Sequence, residues 1–273
     1  DHEIGSLAPG RAADIVVTES FNLSHPQMVF IDGRAVYGKD MAAEENRALF
    51  KASPLTGMRK TYFAFDWRIT EELFTVSVPE AKGETRTEIP FPVIEMANAI
   101  ITKRLDLRLP VVNGAVTPGR SFPGLLKIAL LDLRKRRVSA GFIKGLGDGL
   151  EGFASSTCCN LGQVVVFGSS DAAMALAANY VLELGGGMAM TENNGINWEI
   201  MLELPGELTN LPFEEVSRLA GELEELAHRK GYPWGDFFHT LHFLPCDFLP
   251  YIRISTEGIF DVLDNKIIYP AAL

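Results

Sequence analysis

Leu105-Asp106-Leu107-Arg108-Leu109 alternates apolar and charged residues. In a strand successive side chains point to opposite faces, so this period of two predicts a sheet with one face in water. The neighbouring sequence supplies further strands, over Tyr62 to Trp67, Leu73 to Val78 and Leu125 to Leu133, while Met96 to Ile101 reads equally as strand or helix. Asn113-Gly114 adds a tight turn. Further along, Ser169-Ser170-Asp171 caps a predicted helix running to Leu184. Side-chain oxygens satisfy the free N–H groups of a first turn, and Gly185 ends the helix by accepting a left-handed conformation. Met188 to Glu192 and Ile196 to Leu204 flank Asn193-Asn194-Gly195, a hairpin signal. A second helix over Phe213 to Lys230 gathers Val216, Leu219, Leu223, Leu226 and Ala227 on one face. Glu214, Glu215, Glu222, Glu224 and Glu225 fall mostly on its solvent side, and Gly231 stops it. The expected fold class is therefore α+β, a mixed or antiparallel sheet with several packed helices.

The chain changes character near residue 40. Residues up to about Lys39 read as strand, loop, strand and turn, with Asp32-Gly33 as a hairpin signal between Val29 and Tyr37. Ala42 to Lys51 is polar with helical spacing and reads as a linker or a first helix. Two domains are expected, residues 1–40 and 41–273.

Composition excludes several function classes. Of the 273 residues 47% are hydrophobic and 22% charged, enough for a substantial core. The net charge of −10 opposes binding to nucleic-acid backbones, which rests on clustered Lys and Arg. Arg134 to Arg137 is a short basic run that reads as a strand end or turn. No stretch approaches the roughly 18 apolar residues of a membrane helix, and the start has no signal-peptide pattern, so a cytoplasmic location is expected. Three cysteines, Cys158, Cys159 and Cys246, make no disulfide framework and read as reduced thiols.

A metal centre is not expected in this chain. Its five histidines include no His-x-His pair. His239 and His242 share one side of a helix with Asp236 a turn earlier, but a third ligand is lacking, and His242 among Leu241, Phe243 and Leu244 reads as a packed histidine. Gly145-Leu146-Gly147-Asp148-Gly149 fits neither the dinucleotide nor the Walker spacing and reads as a loop, from which Lys144 and Asp148 can reach a neighbouring pocket. Ser155-Ser156 has no paired base and implies no nucleophile.

Two stretches carry a resemblance. Ile4-Gly5-Ser6-Leu7-Ala8-Pro9-Gly10-Arg11-Ala12-Ala13-Asp14-Ile15-Val16-Val17 resembles the return from an amidohydrolase barrel to its small β-sandwich; in physical terms Pro9-Gly10 is a turn and Ile15 to Thr18 a β-branched run. Lys144-Gly145-Leu146-Gly147, Gly152-Phe153-Ala154-Ser155-Ser156, Val164-Val165-Val166-Phe167-Gly168, Asp171-Ala172-Ala173-Met174-Ala175 and Gly185-Gly186-Gly187 follow in the order and spacing of the C-terminal domain of bacterial adenine deaminases. Thr240-Leu241-His242-Phe243-Leu244, Leu249-Pro250-Tyr251-Ile252-Arg253-Ile254 and Gly258-Ile259-Phe260-Asp261-Val262 resemble that family's closing segment.

The resemblance implies that residues 1–40 are a piece of the amidohydrolase β-sandwich and that the catalytic barrel lies outside this chain. It further implies a parent enzyme that hydrolyses adenine to hypoxanthine and ammonia with a divalent metal (manganese, iron or zinc) held in that barrel. On this reading the chain alone is inactive and holds no catalytic residue, cofactor or metal ligand. Its partners are a small purine substrate and other copies in a homo-oligomer, with no nucleic acid and no membrane. One departure stands out. Where the family carries a His-Asp-Ser-His-Asn run, this chain has Cys159-Asn160-Leu161-Gly162-Gln163. The substrate-pocket candidates are accordingly Ser155, Ser156, Cys159, Asn160 and Gln163. The departure leaves two alternatives: a diverged amidohydrolase acting on another cyclic amide or amidine, or a non-catalytic module for ligand binding or oligomerisation.

Overall fold

The structure is a computed structural model describing residues 3–20, 26–38, 65–78, 87–158, 160–203 and 206–271. The chain divides into two compact units, residues 1–57 and 58–273. The predicted linker over Ala42 to Lys51 lies outside the described residues.

In the first unit β1 (Ile15–Val17), β2 (Met28–Ile31) and β3 (Arg34–Gly38) form a three-stranded antiparallel sheet in that order. Asp32 (φ 48°) and Gly33 (φ 73°) close the β2–β3 hairpin, as their types predict for a turn that needs positive φ at both central positions. Gly33 N donates to Ala13 O, and Asp32 N to Asp14 Oδ1 at 2.8 Å, which ties the turn to the residues before β1.

The second unit is built on a nine-stranded sheet. Its strands are β4 (Thr87–Met96), β5 (Thr102–Val112), β6 (Ala115–Val116), β7 (Leu125–Asp132), β8 (Arg137–Lys144), β9 (Gly152–Ser155), β10 (Gln163–Gly168), β11 (Gly187–Glu192) and β12 (Gly195–Met201), in the spatial order β12-β11-β9-β10-β7-β8-β4-β5-β6. All neighbours run antiparallel except β4 and β8, which pair in parallel through Ile94 and Glu95, so the sheet is mixed. Because β8 pairs with so little of β4, much of that edge is free of ladder bonds. Pro90 and Pro92, two residues apart and without N–H groups, sit in this stretch.

The central strands are apolar on both faces, and the faces differ in size. Ala129, Leu131, Ala154, Val164, Val166 and Ala189 point to one side, where α1 (Asp171–Leu184) packs with Met174, Ala177, Ala178 and Val181. Ile128, Leu130, Phe153, Val165, Phe167, Met188 and Met190 point to the other. There they meet α2 (Phe213–Arg229), α3 (Phe237–Phe243) and a three-stranded antiparallel sheet of β13 (Ile252–Ser255), β14 (Gly258–Asp261) and β15 (Lys266–Pro270). Phe153 and Phe167 stack at 5.2 Å, and Phe237 meets Phe153 edge-on at 5.6 Å.

Most predicted elements appear. Ser170 Oγ accepts from Ala173 N at 3.3 Å at the start of α1, and Gly185 ends it at φ 77°. Asn113-Gly114 and Asn193-Asn194 turn with positive φ at both residues. In α2 the predicted face is inward, with Leu223 and Ala227 fully buried. Glu224 departs from the expected solvent face, for its Oε2 accepts the Phe237 N–H that opens α3, at 2.6 Å.

One strand prediction fails and another is only partly described. Leu73 to Val78 is a 3-10 turn over Glu71–Phe74 followed by an extended stretch with one bridge, Ser77 to Ala115. Phe74 and Ile69 fill the α1 side of the core, and Asn179 exchanges hydrogen bonds with both backbone groups of Ile69. This segment is thus packed as a cover on the sheet and not paired within it. Of Tyr62 to Trp67, residues 62–64 lie outside the described residues and Phe65 to Trp67 have no regular structure. Met96 ends β4, and Asn98 Oδ1 accepts the N–H groups of Ile100 and Ile101, which makes 97–101 a turn. The basic run is a turn too, with Asp132 Oδ1 accepting from Arg134 N and Lys135 N.

Among the described residues Arg253 is the largest fully buried side chain. Its guanidinium donates to the carbonyls of Leu249, Pro250 and Ile100, fastening β13 to the β4–β5 turn, and burial pulls its pKa down to about 10.

The tightest contact of the α1 layer is at Gly152, where a β-carbon would stand 2.4 Å from the backbone carbon of Ala173. Gly152→Ala should destabilise the protein by about 1–3 kcal/mol, since neither backbone can retreat without moving the helix or the sheet. Urea unfolding of the two proteins checks this.

Candidate functional site

The two ends of the nine-stranded sheet carry different chemistry. At one end lie the exits of β9 and β12, the start of β10 and the start of β11, and here fall the residues singled out from the sequence. Ser155 and Ser156 are buried. Ser155 Oγ accepts from Thr157 N at 3.1 Å. Ser156 Oγ accepts from Gly187 N at 2.8 Å and donates to Gly206 O at 2.5 Å. Both hydroxyls therefore serve the backbone and have no paired base. Asn160 is exposed, in the turn before β10. Gln163 is half-buried at the first position of β10, opposite Asp132. Cys159 lies outside the described residues.

Glu207 joins this group and was not anticipated. Its Oε1 accepts from Cys158 N at 3.3 Å. Burial raises its carboxyl above the ordinary 4.5, opposed by that hydrogen bond and by the nearby charge of His242 from α3. No motif marks Glu207 in the sequence, because its role comes from contact with a residue 49 positions earlier. The Cys158 thiol is buried, and desolvation pushes its pKa up to about 12, so it is not a nucleophile near neutral pH. Cys246 is disulfide-bonded, which departs from the expectation of three reduced thiols.

At the opposite end a cleft of about 850 Å³ opens between the start of α1, β6 with the residues that follow it, and the start of β7. Val76, Val116, Leu126 and Phe142 form an apolar lining. Lys127 and Asp171 form an ion pair of 2.6 Å at the rim, with the Asp171 carboxylate on the first residue of α1, where the helix dipole favours it. Asp148 lines this cleft, as the glycine-rich loop suggested, but Lys144 does not. The loop itself is a packing device. Gly147 comes so close to Lys230 O that a β-carbon would stand 2.5 Å from it, and Gly149 N donates to the same oxygen.

His239 and His242 do not form a metal site with Asp236. Asp236 caps α3 by accepting from His239 N at 2.9 Å, and both rings lie against Phe243. Among the described residues no three His, Cys, Asp or Glu side chains converge to hold a metal, so the described residues do not fit one. No helix among the described residues is long and apolar enough to cross a membrane. What the arrangement at the β9–β10 end can do is hold backbone in place and present polar groups.

Comparison with known proteins gives a consistent family. A family model described as the adenine deaminase C-terminal domain matches residues 99–266. The chain is 29% identical over 267 residues to an adenine deaminase of Dehalococcoides mccartyi and 30% identical over 278 residues to one of Listeria welshimeri, covering 97% of this chain in each case. It is 37% identical over 279 residues to the putative adenine deaminase YerA of Bacillus subtilis, covering all of this chain. The matches cover 44% of the length of each of these three relatives, so the chain spans less than half of the proteins it resembles.

Two outcomes follow from the site. Cys158 should resist alkylation by iodoacetamide at pH 8 in the folded protein and react once the protein is unfolded, as read by fragment mass spectrometry. For Glu207, a carboxyl pKa raised by burial means that the folded protein binds the proton more tightly than the unfolded chain. Stability is therefore lost as pH rises through the folded value. Glu207→Gln removes that loss, so as pH rises above the ordinary carboxylate range (about pH 4) its melting temperature should gain on that of the wild type.

Proposed function

This chain belongs to the family of adenine deaminase C-terminal domains, and we propose on that basis that the protein containing it hydrolyses adenine to hypoxanthine and ammonia. The observation that carries the reading is the match over residues 99–266, which takes in every strand from β5 to β14 and the three described α-helices. The reaction replaces the exocyclic amino group of the ring by the oxygen of water, and a divalent metal (manganese, iron or zinc) would supply the Lewis acidity for it. This chain's described residues offer neither metal ligands nor an activated nucleophile. Its part is to complete the fold around the substrate and to form subunit contacts in a homo-oligomer, with the β9–β10 end as the face that contributes to the purine pocket. A place in purine metabolism and a cytoplasmic location accord with this reading.

A second reading keeps the hydrolytic chemistry and changes the substrate. Residues 159–163 lack the two imidazoles and the acid expected there, which favours another cyclic amide or amidine as the compound hydrolysed.

Ammonia release from adenine by the full-length protein, loaded in turn with manganese, iron and zinc, tests the choice. Turnover with adenine is the expected result, and none is expected from the 273-residue chain. Turnover only with other purines or cyclic amides would favour the second reading. Metal-dependent turnover by this chain alone would refute the assignment of chemistry to a part outside it.

A further inference from the structure

The cleft beside the start of α1 joins an apolar surface to one charged pair. Val76, Val116, Leu126 and Phe142 are buried and line it, and its volume of about 850 Å³ lies in the range of small-molecule sites. Lys127 Nζ donates to Asp171 Oδ2 at 2.6 Å, and the two side chains are 18% and 35% exposed. Among the described residues the pair makes no other side-chain bond, so Lys127 Nζ keeps donors to spare and Asp171 Oδ1 accepts from no protein group.

A spare donor held beside a spare acceptor matches a ligand edge with an acceptor next to a donor. A cyclic amide carries C=O and N–H on adjacent ring atoms, and an aminoheterocycle carries a ring nitrogen beside an amino group. The flat face of either ring covers apolar side chains and leaves its polar edge for the pair. Charge decides against the alternatives. An anion would meet Asp171 together with Glu71 and Asp148, both exposed in the same lining, against a single ammonium. A cation would have to take Asp171 from Lys127 and leave a largely buried ammonium unpaired, which costs free energy. A neutral ring with both functions keeps the ion pair and adds a hydrogen bond to each of its members.

We propose that this cleft binds a small neutral ring, a cyclic amide or aminoheterocycle, whose acceptor faces Lys127 Nζ and whose N–H donates to Asp171 Oδ1. The apolar residues hold the face of the ring, and the ion pair reads its edge. Lys127 stands on β7 and Asp171 opens α1, so the bound ring joins sheet and helix where the two elements begin. The site is made of this chain's own residues and does not rest on the deaminase reading.

Amide hydrogen exchange of the full-length protein tests this with 2-pyridone as a neutral cyclic amide, benzylamine as a cation and benzoate as an anion, each up to about 10 mM, where rings of this size bind. Exchange is read segment by segment, so a probe bound elsewhere leaves the cleft unchanged. 2-Pyridone should slow exchange about threefold or more over residues 115–119 and 168–173, and the two charged probes should not. Val116→Trp, which fills the cleft, should abolish the slowing. Lys127→Met/Asp171→Ala removes both charges so that neither is left unpaired, and should weaken 2-pyridone about tenfold or more while the free protein's exchange over β7 and β8 stays as in the wild type. No slowing in these segments by any probe overturns the site. Slowing by benzylamine or benzoate at least as strong as by 2-pyridone overturns the ligand class. Undiminished slowing by 2-pyridone in the double variant overturns recognition by the pair.

Discussion

The close approach of α1 to the sheet is the constraint from which the rest of the second unit follows. At Gly152 the helix backbone lies where a β-carbon would stand, and Thr191 Oγ1 donates to both Gly152 O and Ala173 O across the same contact. Such an approach requires small residues on both sides, and they are present: Ala129, Ala154 and Ala189 on the strands, and Ala173, Ala177 and Ala178 on the helix. Strands alternate their side chains, so small residues on the α1 face leave the opposite face free to carry large ones. Phe153 and Phe167 occupy that face, and their volume sets the distance at which α2 and α3 pack.

This asymmetry places the functional chemistry. With both faces of the central strands covered, polar groups reach solvent at the sheet's ends, where strands stop and connections begin. One end opens into the cleft beside Lys127 and Asp171, the other into the residues after Ser155. Both are built from loops held by a rigid scaffold, the usual placement of binding groups. The cleft has paired charges and an apolar lining. The β9–β10 end has buried hydroxyls given over to the backbone and one carboxylate with a perturbed pKa.

How much of this was legible in the sequence differed by element for physical reasons. Hairpins were readable wherever the turn needs positive φ at two residues, because few residue types accept it, as Asp32-Gly33, Asn113-Gly114 and Asn193-Asn194 show. Helix α1 was readable from its serine cap and glycine end. Strand β10 was not assigned, since Val164 to Phe167 is buried on both faces and so shows no period to read. Leu73 to Val78 resists reading because apolar residues in a short run look alike whether they pair in a sheet or lie across it; the 3-10 turn over Glu71–Phe74 and the single bridge from Ser77 to Ala115 mark it as a cover. The residues flagged after β9 were located by resemblance. Their local pattern alone implied no chemistry.

Glu207 marks where sequence reading stops. A carboxylate in a connection, next to a glycine, has no periodicity and no spacing that announces a role. Its environment is made by burial, by a backbone donor from 49 residues earlier and by an imidazole 35 residues later. Convergence of this kind is built by the fold and leaves no local trace. The Ser156 bonds and the α1 contact hold the fold. Asn160 and Leu161 are exposed in the turn that follows, whereas Gly162 and Gln163 already join the packed sheet.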